Sequence, residues 1–259
     1  MKIYQVDAFT EEPFRGNPAV VCVLDSAPSE KWMQDVAAEM NLPETAFLIP
    51  VNNAYTLRWF TPNSEVDLCG HATLASAHIL WERGYLGADQ EAVFRTKSGT
   101  LLAKRDGCWI QLDFPATPAE AADVPPNLVE ALNIYPVYIG KNSFDYLIEV
   151  QSEQVVRDIE PDFTRLMKVP MRGVIVTAKS EKYDFVSRFF APEIGIFEDP
   201  VTGSAHCTLG PYWQKKLGKN KFNAYQSSER GGRLKVWVAG ERVVIWGKAV
   251  TVMEGSLLY

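Results

Sequence analysis

The chain has 259 residues, 47% of them hydrophobic and 22% charged, an ordinary balance for a globular protein. Its net charge of −6 and pI near 5.2 argue against nucleic acid or an anionic membrane as the main partner. No apolar run approaches the roughly 20 residues of a membrane span, and residues 1–9 lack a signal-like apolar core, so a cytoplasmic protein is expected.

The length exceeds a typical single domain and suits two of about 125 residues. The four cysteines, Cys22, Cys69, Cys108 and Cys207, show no CxxC spacing and are expected to stay reduced. In chain order, alternation at 2–9 predicts a strand, and Phe14-Arg15-Gly16-Asn17-Pro18 a turn, because Gly-Asn-Pro cannot continue a ladder. A buried strand follows at 19–24. Ser29 then caps a helix carrying Trp32, Met33, Val36, Ala37 and Met40, which stops before Pro43. Glu44 opens an apolar strand at 44–49, and another strand follows at 55–60.

The next stretch, residues 65–84, runs from an acidic lead-in through Gly70-His71 into a helix apolar on nearly every side, hence a core helix, ended by Gly84. Strands are expected at 93–95, 100–105 and 108–114, with Asp106-Gly107 turning the last hairpin. Four prolines, Pro115, Pro118, Pro125 and Pro126, mark a linker.

Beyond it the pattern returns. Strands are expected at 137–140, 145–150, 173–178 and 185–190, and a helix at 161–167. A second core helix ends at Leu217-Gly218, bent or interrupted at Pro211. Strands at 234–239, 243–246 and 249–252 close the chain. Arg58-Trp59-Phe60-Thr61-Pro62 matches Arg188-Phe189-Phe190-Ala191-Pro192, and Gly70-His71-Ala72 matches Gly203-Ser204-Ala205, with Asp67 and Asp199 ahead of each. Two matches in the same order, about half a chain apart, indicate a duplicated unit. The expected fold class is α+β: two similar domains, each a mixed sheet curled around a central apolar helix.

Few residues suit chemistry. Glu44 stands at the edge of an apolar strand, where desolvation makes a carboxylate usable as proton acceptor and donor; its bland alternative is a solvated strand end. The two Gly-led helix starts present backbone N–H groups, a natural anion site, against the alternative of ordinary capping by Asp199 and Ser204. His71 can donate to a carboxylate or shuttle a proton. His78 fits a hydrogen-bonded interior position, and His206 carries no assignment. No His/Asp/Glu set has zinc spacing, so no metal is expected. Phosphate loop, dinucleotide fingerprint and nucleophile elbow are all absent, which favours cofactor-free proton chemistry.

The set Asp7-Ala8-Phe9-Thr10, Gly16-Asn17-Pro18-Ala19, Pro43-Glu44-Thr45-Ala46-Phe47, Asp67-Leu68-Cys69-Gly70-His71-Ala72 and Glu198-Asp199-Pro200-Val201-Thr202-Gly203-Ser204-Ala205 closely resembles the phenazine-biosynthesis PhzF-like isomerase family, across essentially the whole chain. The resemblance implies the diaminopimelate-epimerase-like fold with the site between two domains, 1–116 joined by the final strand 249–259, and 117–248. It implies a homodimer acting on a small-molecule carboxylate substrate without metal or organic cofactor. Glu44 matches the general acid/base. His71 and Asp199 match residues assisting proton movement, and Ser204, Gly70 and Gly203 match substrate-binding positions. The reaction it implies moves a proton between ring carbons, as in isomerisation of a dihydro-hydroxyanthranilate.

Related epimerases and racemases use two opposed cysteines, one at each helix start. Cys69 occupies one such place, while its counterpart falls at Pro200 or Val201, neither a base. An amino-acid or hydroxy-acid epimerase using Cys69 with Asp199 or Glu44 is therefore the second reading. A non-catalytic metabolite-binding protein is the third.

Overall fold

In the computed structural model, which describes residues 1–258, the alternating N-terminal segment forms β1 (Lys2–Ala8) and stops at Phe9, whose φ of 63° turns the chain. There follow β2 (Asn17–Val23), α1 (Glu30–Met40), β3 (Glu44–Val51), β4 (Ala54–Phe60), β5 (Glu65–Val66), α2 (Gly70–Glu82), β6 (Ala92–Thr96), β7 (Gly99–Asp106) and β8 (Trp109–Pro115). Then come β9 (Glu120–Ala121), α3 (Leu128–Leu132), β10 (Tyr138–Lys141), β11 (Asp145–Glu149), α4 (Glu153–Arg157), α5 (Phe163–Leu166), β12 (Gly173–Lys179) and β13 (Phe185–Phe190). The order ends with α6 (Gly203–Leu217), β14 (Lys221–Gln226), β15 (Gly232–Ala239), β16 (Arg242–Gly247) and β17 (Ala249–Ser256). The chain divides into two compact units, Met1–Asp113 with the segment from Trp246 onward, and Phe114–Ile245.

The duplication read from the sequence reappears in strand pairing. In the first unit β1 pairs antiparallel with β2, β2 parallel with β3, β3 antiparallel with β4, β4 parallel with β6, and β6 antiparallel with β7. In the second, β10 to β15 repeat that alternation strand for strand. A side-chain device is repeated as well. Arg58 on β4 grips both oxygens of Glu65 (2.6 Å each) and lies over the Phe60 ring; Arg188 on β13 grips both oxygens of Glu198 (2.7 and 2.8 Å) and lies over Phe190. Planar guanidinium matches planar carboxylate bidentately. Each clamp ties an acidic loop to the strand before it, and so fixes where the next helix begins.

Each unit is a mixed sheet with one apolar helix in its core. α2 lies against β1, β2, β3 and β17, and ten of its residues are buried. Small side chains at Ala72, Thr73, Ala75, Ser76 and Ala77 let the strands approach it. α6 plays the same part in the second unit, where Trp213 stacks on Phe185 with ring centroids 5.6 Å apart. Close packing predicts a cost at Gly247, where a Cβ would stand 2.4 Å from Phe9 and 2.5 Å from the Leu74 side chain. Both neighbours are buried and cannot swing away. Gly247→Ala is expected to lower unfolding free energy by about 1–3 kcal/mol in urea titration, the usual cost of overpacking.

Three expectations are corrected. Asn17 and Pro18 belong to β2, opposite Ala8 and Asp7, and not to a turn; proline is tolerated at a strand start, where its missing N–H costs no interior ladder bond. Pro211 does not interrupt α6, which runs unbroken to Leu217 with Gly218 as its left-handed cap. The carbonyl that proline leaves without its helical donor, that of Cys207, accepts from Thr117 N at 3.0 Å instead. The helix expected at 161–167 shrinks to the four residues of α5, started by the Asp162 side chain accepting from Arg165 N. The proline-rich stretch also carries β9, paired with β10. Among the described residues, no helix is long and apolar enough to cross a membrane.

Candidate active site

In the first unit the site grows from the parallel pair β2–β3 and the start of α2. Parallel pairing sets Glu44 opposite Ala19, so the first residue of β3 comes beside the beginning of β2. The αL conformation of Asn41 (φ 50°) ends α1 and turns the chain into β3. Cys69 is the N-cap of α2; its side chain offers the first turn only a weak sulfur acceptor, toward the N–H of Ala72.

Glu44, Cys69 and His71 are all more than nine-tenths buried. His71 Nε2 stands 3.1 Å from Glu44 Oε2, an ion-pair distance, and neither atom has another hydrogen-bond partner among the described residues. On the other side of the ring, His71 Nδ1 lies 3.1 Å from Asn17 Nδ2 and 3.5 Å from Cys69 Sγ. Burial by itself disfavours the imidazolium, but Cys69 and Glu44 more than offset it, and His71 is held well above its ordinary pKa. We assign the larger role to Glu44, because burial, and then the Glu44 charge, push the Cys69 thiol up and keep it protonated.

These three residues also offer sulfur, nitrogen and oxygen donors within 4.8 Å of one another, a set that could hold a metal ion. Spacing along the chain does not reveal it, because Glu44 arrives from a strand 25 residues before Cys69.

The second unit builds a matching helix start. Thr202 is the N-cap of α6, without a side-chain cap bond. Its hydroxyl donates instead to Asp199 Oδ2 at 2.6 Å. Capping by Asp199 and Ser204, the bland alternative for this helix, is not what the N-cap residue provides. Gln226, fully buried, rivets the loop: its Nε2 donates to Asp199 O (2.7 Å) and Thr202 Oγ1 (3.1 Å), and its Oε1 accepts from Thr202 N (2.9 Å). Ser204 Oγ accepts from Arg172 Nη2 at 3.3 Å, and Arg172 is held by both oxygens of the buried Asp145. His206 Nδ1 donates to Thr202 O at 2.8 Å, and burial pushes its pKa down to about 4, so it is neutral in the fold. His78, as expected, is hydrogen-bonded, through Nε2 to Thr251.

Counted from the helix starts, the residue matching Cys69 is Thr202 and not Pro200 or Val201. Cys207 lies a turn further on, its thiol directed at Gly203 O. The sequence thus brings Glu44 and His71 together beside Gly70, and Asp199 beside Gly203 and Ser204. Asn17, Arg172 and Gln226 were not picked out for chemistry. Asn17 sits within a recognised motif, whereas nothing in the sequence marks Gln226.

Two duplicated α+β units, each a mixed sheet around a central apolar helix, make the diaminopimelate-epimerase-like fold. A probable proline racemase from Agrobacterium radiobacter shares the fold at 11% identity (TM-score 0.65, 99% of this chain and 92% of that one). The model for phenazine biosynthesis-like proteins matches residues 6–255. An uncharacterized isomerase from Halalkalibacterium halodurans is 58% identical over 99% of this chain and 98% of its own. A solved PhzF-family protein from Enterococcus faecalis is 43% identical, with a TM-score of 0.95 over 98% of this chain and 97% of its own. The chain belongs to the phenazine biosynthesis-like, or PhzF, family, and its class is isomerase.

Proposed function

We propose that the chain moves a proton between carbon atoms of a small carboxylate substrate, without metal or organic cofactor, with Glu44 as the general acid/base. The observation that carries this reading is the buried Glu44–His71 pair, 3.1 Å apart, with facing atoms that have no other hydrogen-bond partner among the described residues. A buried acceptor and donor held side by side are what a carbon-bound proton and the charge it leaves behind require. Glu44 takes the proton from one carbon and returns it to another. His71, cationic while Glu44 is ionised, stabilises the carboxylate form of Glu44 and the negative charge spreading into the substrate. The N–H groups at Gly70 receive a substrate carboxylate. In the second unit Asp199 assists proton movement, while Gly203 and Ser204 supply binding groups; Thr202 and Gln226 fix their loop. The same reading carries a homodimer of 29.0 kDa chains in the cytoplasm, the assembly to be checked by light scattering.

The test is hydrogen–deuterium exchange. The protein in D₂O is mixed with a panel of small carboxylates, including dihydro-hydroxyanthranilate, and NMR follows the carbon-bound protons. Exchange that Glu44→Gln loses supports the reading. A protein that exchanges nothing, and binds a panel member with the same affinity whether or not it carries Glu44→Gln, is a binding protein and overturns it.

The epimerase reading has one observation in its favour, the Cys69 thiol 3.5 Å from His71 Nδ1. Against it, burial keeps that thiol protonated, and Thr202 offers no base at the matching position. Cys69→Ser is therefore expected to keep exchange within about tenfold of the parent, well short of the 10²–10⁴ that a general base supplies. Loss on that scale in Cys69→Ser, with Glu44→Gln active, would make the thiol the base.

A further inference from the structure

The face of His71 turned away from Glu44 has its own partner. Asn17 opens β2, is fully buried, and places its amide nitrogen 3.1 Å from His71 Nδ1. Its position is set by the backbone on both sides. Gly16 precedes it at φ +64°, where a Cβ would stand 2.1 Å from Ala8 O, and Pro18 follows within the β1–β2 ladder. The amide therefore arrives at His71 on a rigid strand and not on a loop.

Geometry gives that contact a consequence. An imidazole nitrogen that accepts a hydrogen bond carries no proton, so the donor at Nδ1 sends the neutral ring's proton to Nε2, the atom facing Glu44. An imidazolium has protons on both nitrogens and needs an acceptor at Nδ1. An amide offers either, N–H₂ on one side and C=O on the other, after half a turn about its terminal bond. A carboxylate at the same place would only accept and would hold the ring charged. An aliphatic side chain would do neither and would leave Nδ1 with the weak sulfur partner Cys69 alone.

We infer that Asn17 is a positioning residue that serves His71 in both protonation states, directing the proton of the neutral ring to Nε2 and accepting from Nδ1–H of the cation. The inference rests on the reading of Glu44 and His71 as the proton-transfer centre, in which the ring's charge state changes as Glu44 loses and regains its proton. The titratable groups that bear on His71 are Cys69 at the cap of α2 and Glu44 on β3. Asn17, from β2, is the uncharged third neighbour.

The test is ¹⁵N NMR of the full chain labelled at histidine, across the pH range, for the parent, Asn17→Asp and Asn17→Leu. His71 signals are assigned by their loss in His71→Asn, and denaturant titration confirms that each variant is folded. In the parent, neutral His71 is expected to show protonated Nε2 and accepting Nδ1. Asn17→Leu is expected to shift the neutral ring toward the Nδ1–H tautomer and to lower kcat by tenfold or more at roughly unchanged KM. Asn17→Asp, nearly isosteric and so the safer fold, is expected to raise the His71 titration by about one pH unit or more, as an added facing charge does. Unchanged His71 shifts in a folded Asn17→Leu protein, or an unmoved titration in Asn17→Asp, would overturn the inference. These signals need no substrate. A tautomer that follows Asn17 in a protein that exchanges nothing would sustain the role of Asn17 and remove the functional reading instead.

Discussion

Glu44→Gln is expected to lower kcat for carbon–hydrogen exchange by about 10²–10⁴-fold while KM moves far less, since the amide keeps the shape but cannot hold the proton. The range is what a positioned general acid/base supplies, equivalent to roughly 3–5 kcal/mol of barrier. A second readout follows from the electrostatics. Glu44 holds His71 above its ordinary pKa against the opposing effect of burial, the Cys69 thiol being protonated. With the charge of Glu44 removed, burial is left to dominate, so the His71 titration should fall in the variant. Glu44→Asp should retain the ion pair in weakened form and lie between the two proteins in rate, because shortening the side chain draws the carboxylate away from Nε2. A kcat that survives Glu44→Gln in a folded protein would remove Glu44 from the chemistry, whatever happened to His71.

Acid should destabilise the protein through a histidine of the second unit. His206 lies fully buried on α6 with a pKa near 4, against 6.5 when exposed. Between those values the unfolded chain binds a proton that the folded chain refuses, so stability falls as pH drops through 6.5 toward 4. That gap corresponds to about 3 kcal/mol, a large part of a typical folding free energy. His71 acts in the opposite sense. Its raised folded pKa contributes stability that is fully present below 6.5 and is lost as pH rises through its folded value. Unfolding in urea from pH 4 to 9 should therefore show a maximum near neutrality, with an acid limb from His206 and an alkaline limb from His71. His206→Gln should flatten the acid limb, and His71→Asn the alkaline one. An acid limb unchanged in His206→Gln would show that other groups set it.

Much of the architecture is legible in the order of residues, because it rests on local physics. The Ser29 cap of α1, the αL exit at Asn41, and the apolar α2 closed near Gly84 follow from side-chain chemistry and 3.6-residue periodicity. The duplication is legible because Arg58 and Arg188, and Gly70 and Gly203, recur in order. Short elements are not: α3, α4, β5 and β9 carry too few residues for periodicity to register, and contacts from elsewhere in the chain decide them. At Gly16-Asn17-Pro18 and Pro211 local preference points away from the structure. The β1–β2 ladder wins at the first, and a donor from Thr117 satisfies the freed carbonyl at the second.

The candidate site divides along the same line. By itself the sequence determined which residues are unusual: a carboxylate opening an apolar strand, a histidine after glycine at a helix start, and the repeat of that start at Gly203. Those are properties of neighbours in the chain. Tertiary structure alone decided that Glu44 faces His71 at 3.1 Å, that Asn17 supports the ring from behind, and that Gln226 and Arg172 fix the second helix start. The parallel β2–β3 pairing and the seat of α2 against both strands put groups 27 and 54 residues apart within hydrogen-bond reach, and a contact made at such sequence separation leaves no trace in local pattern.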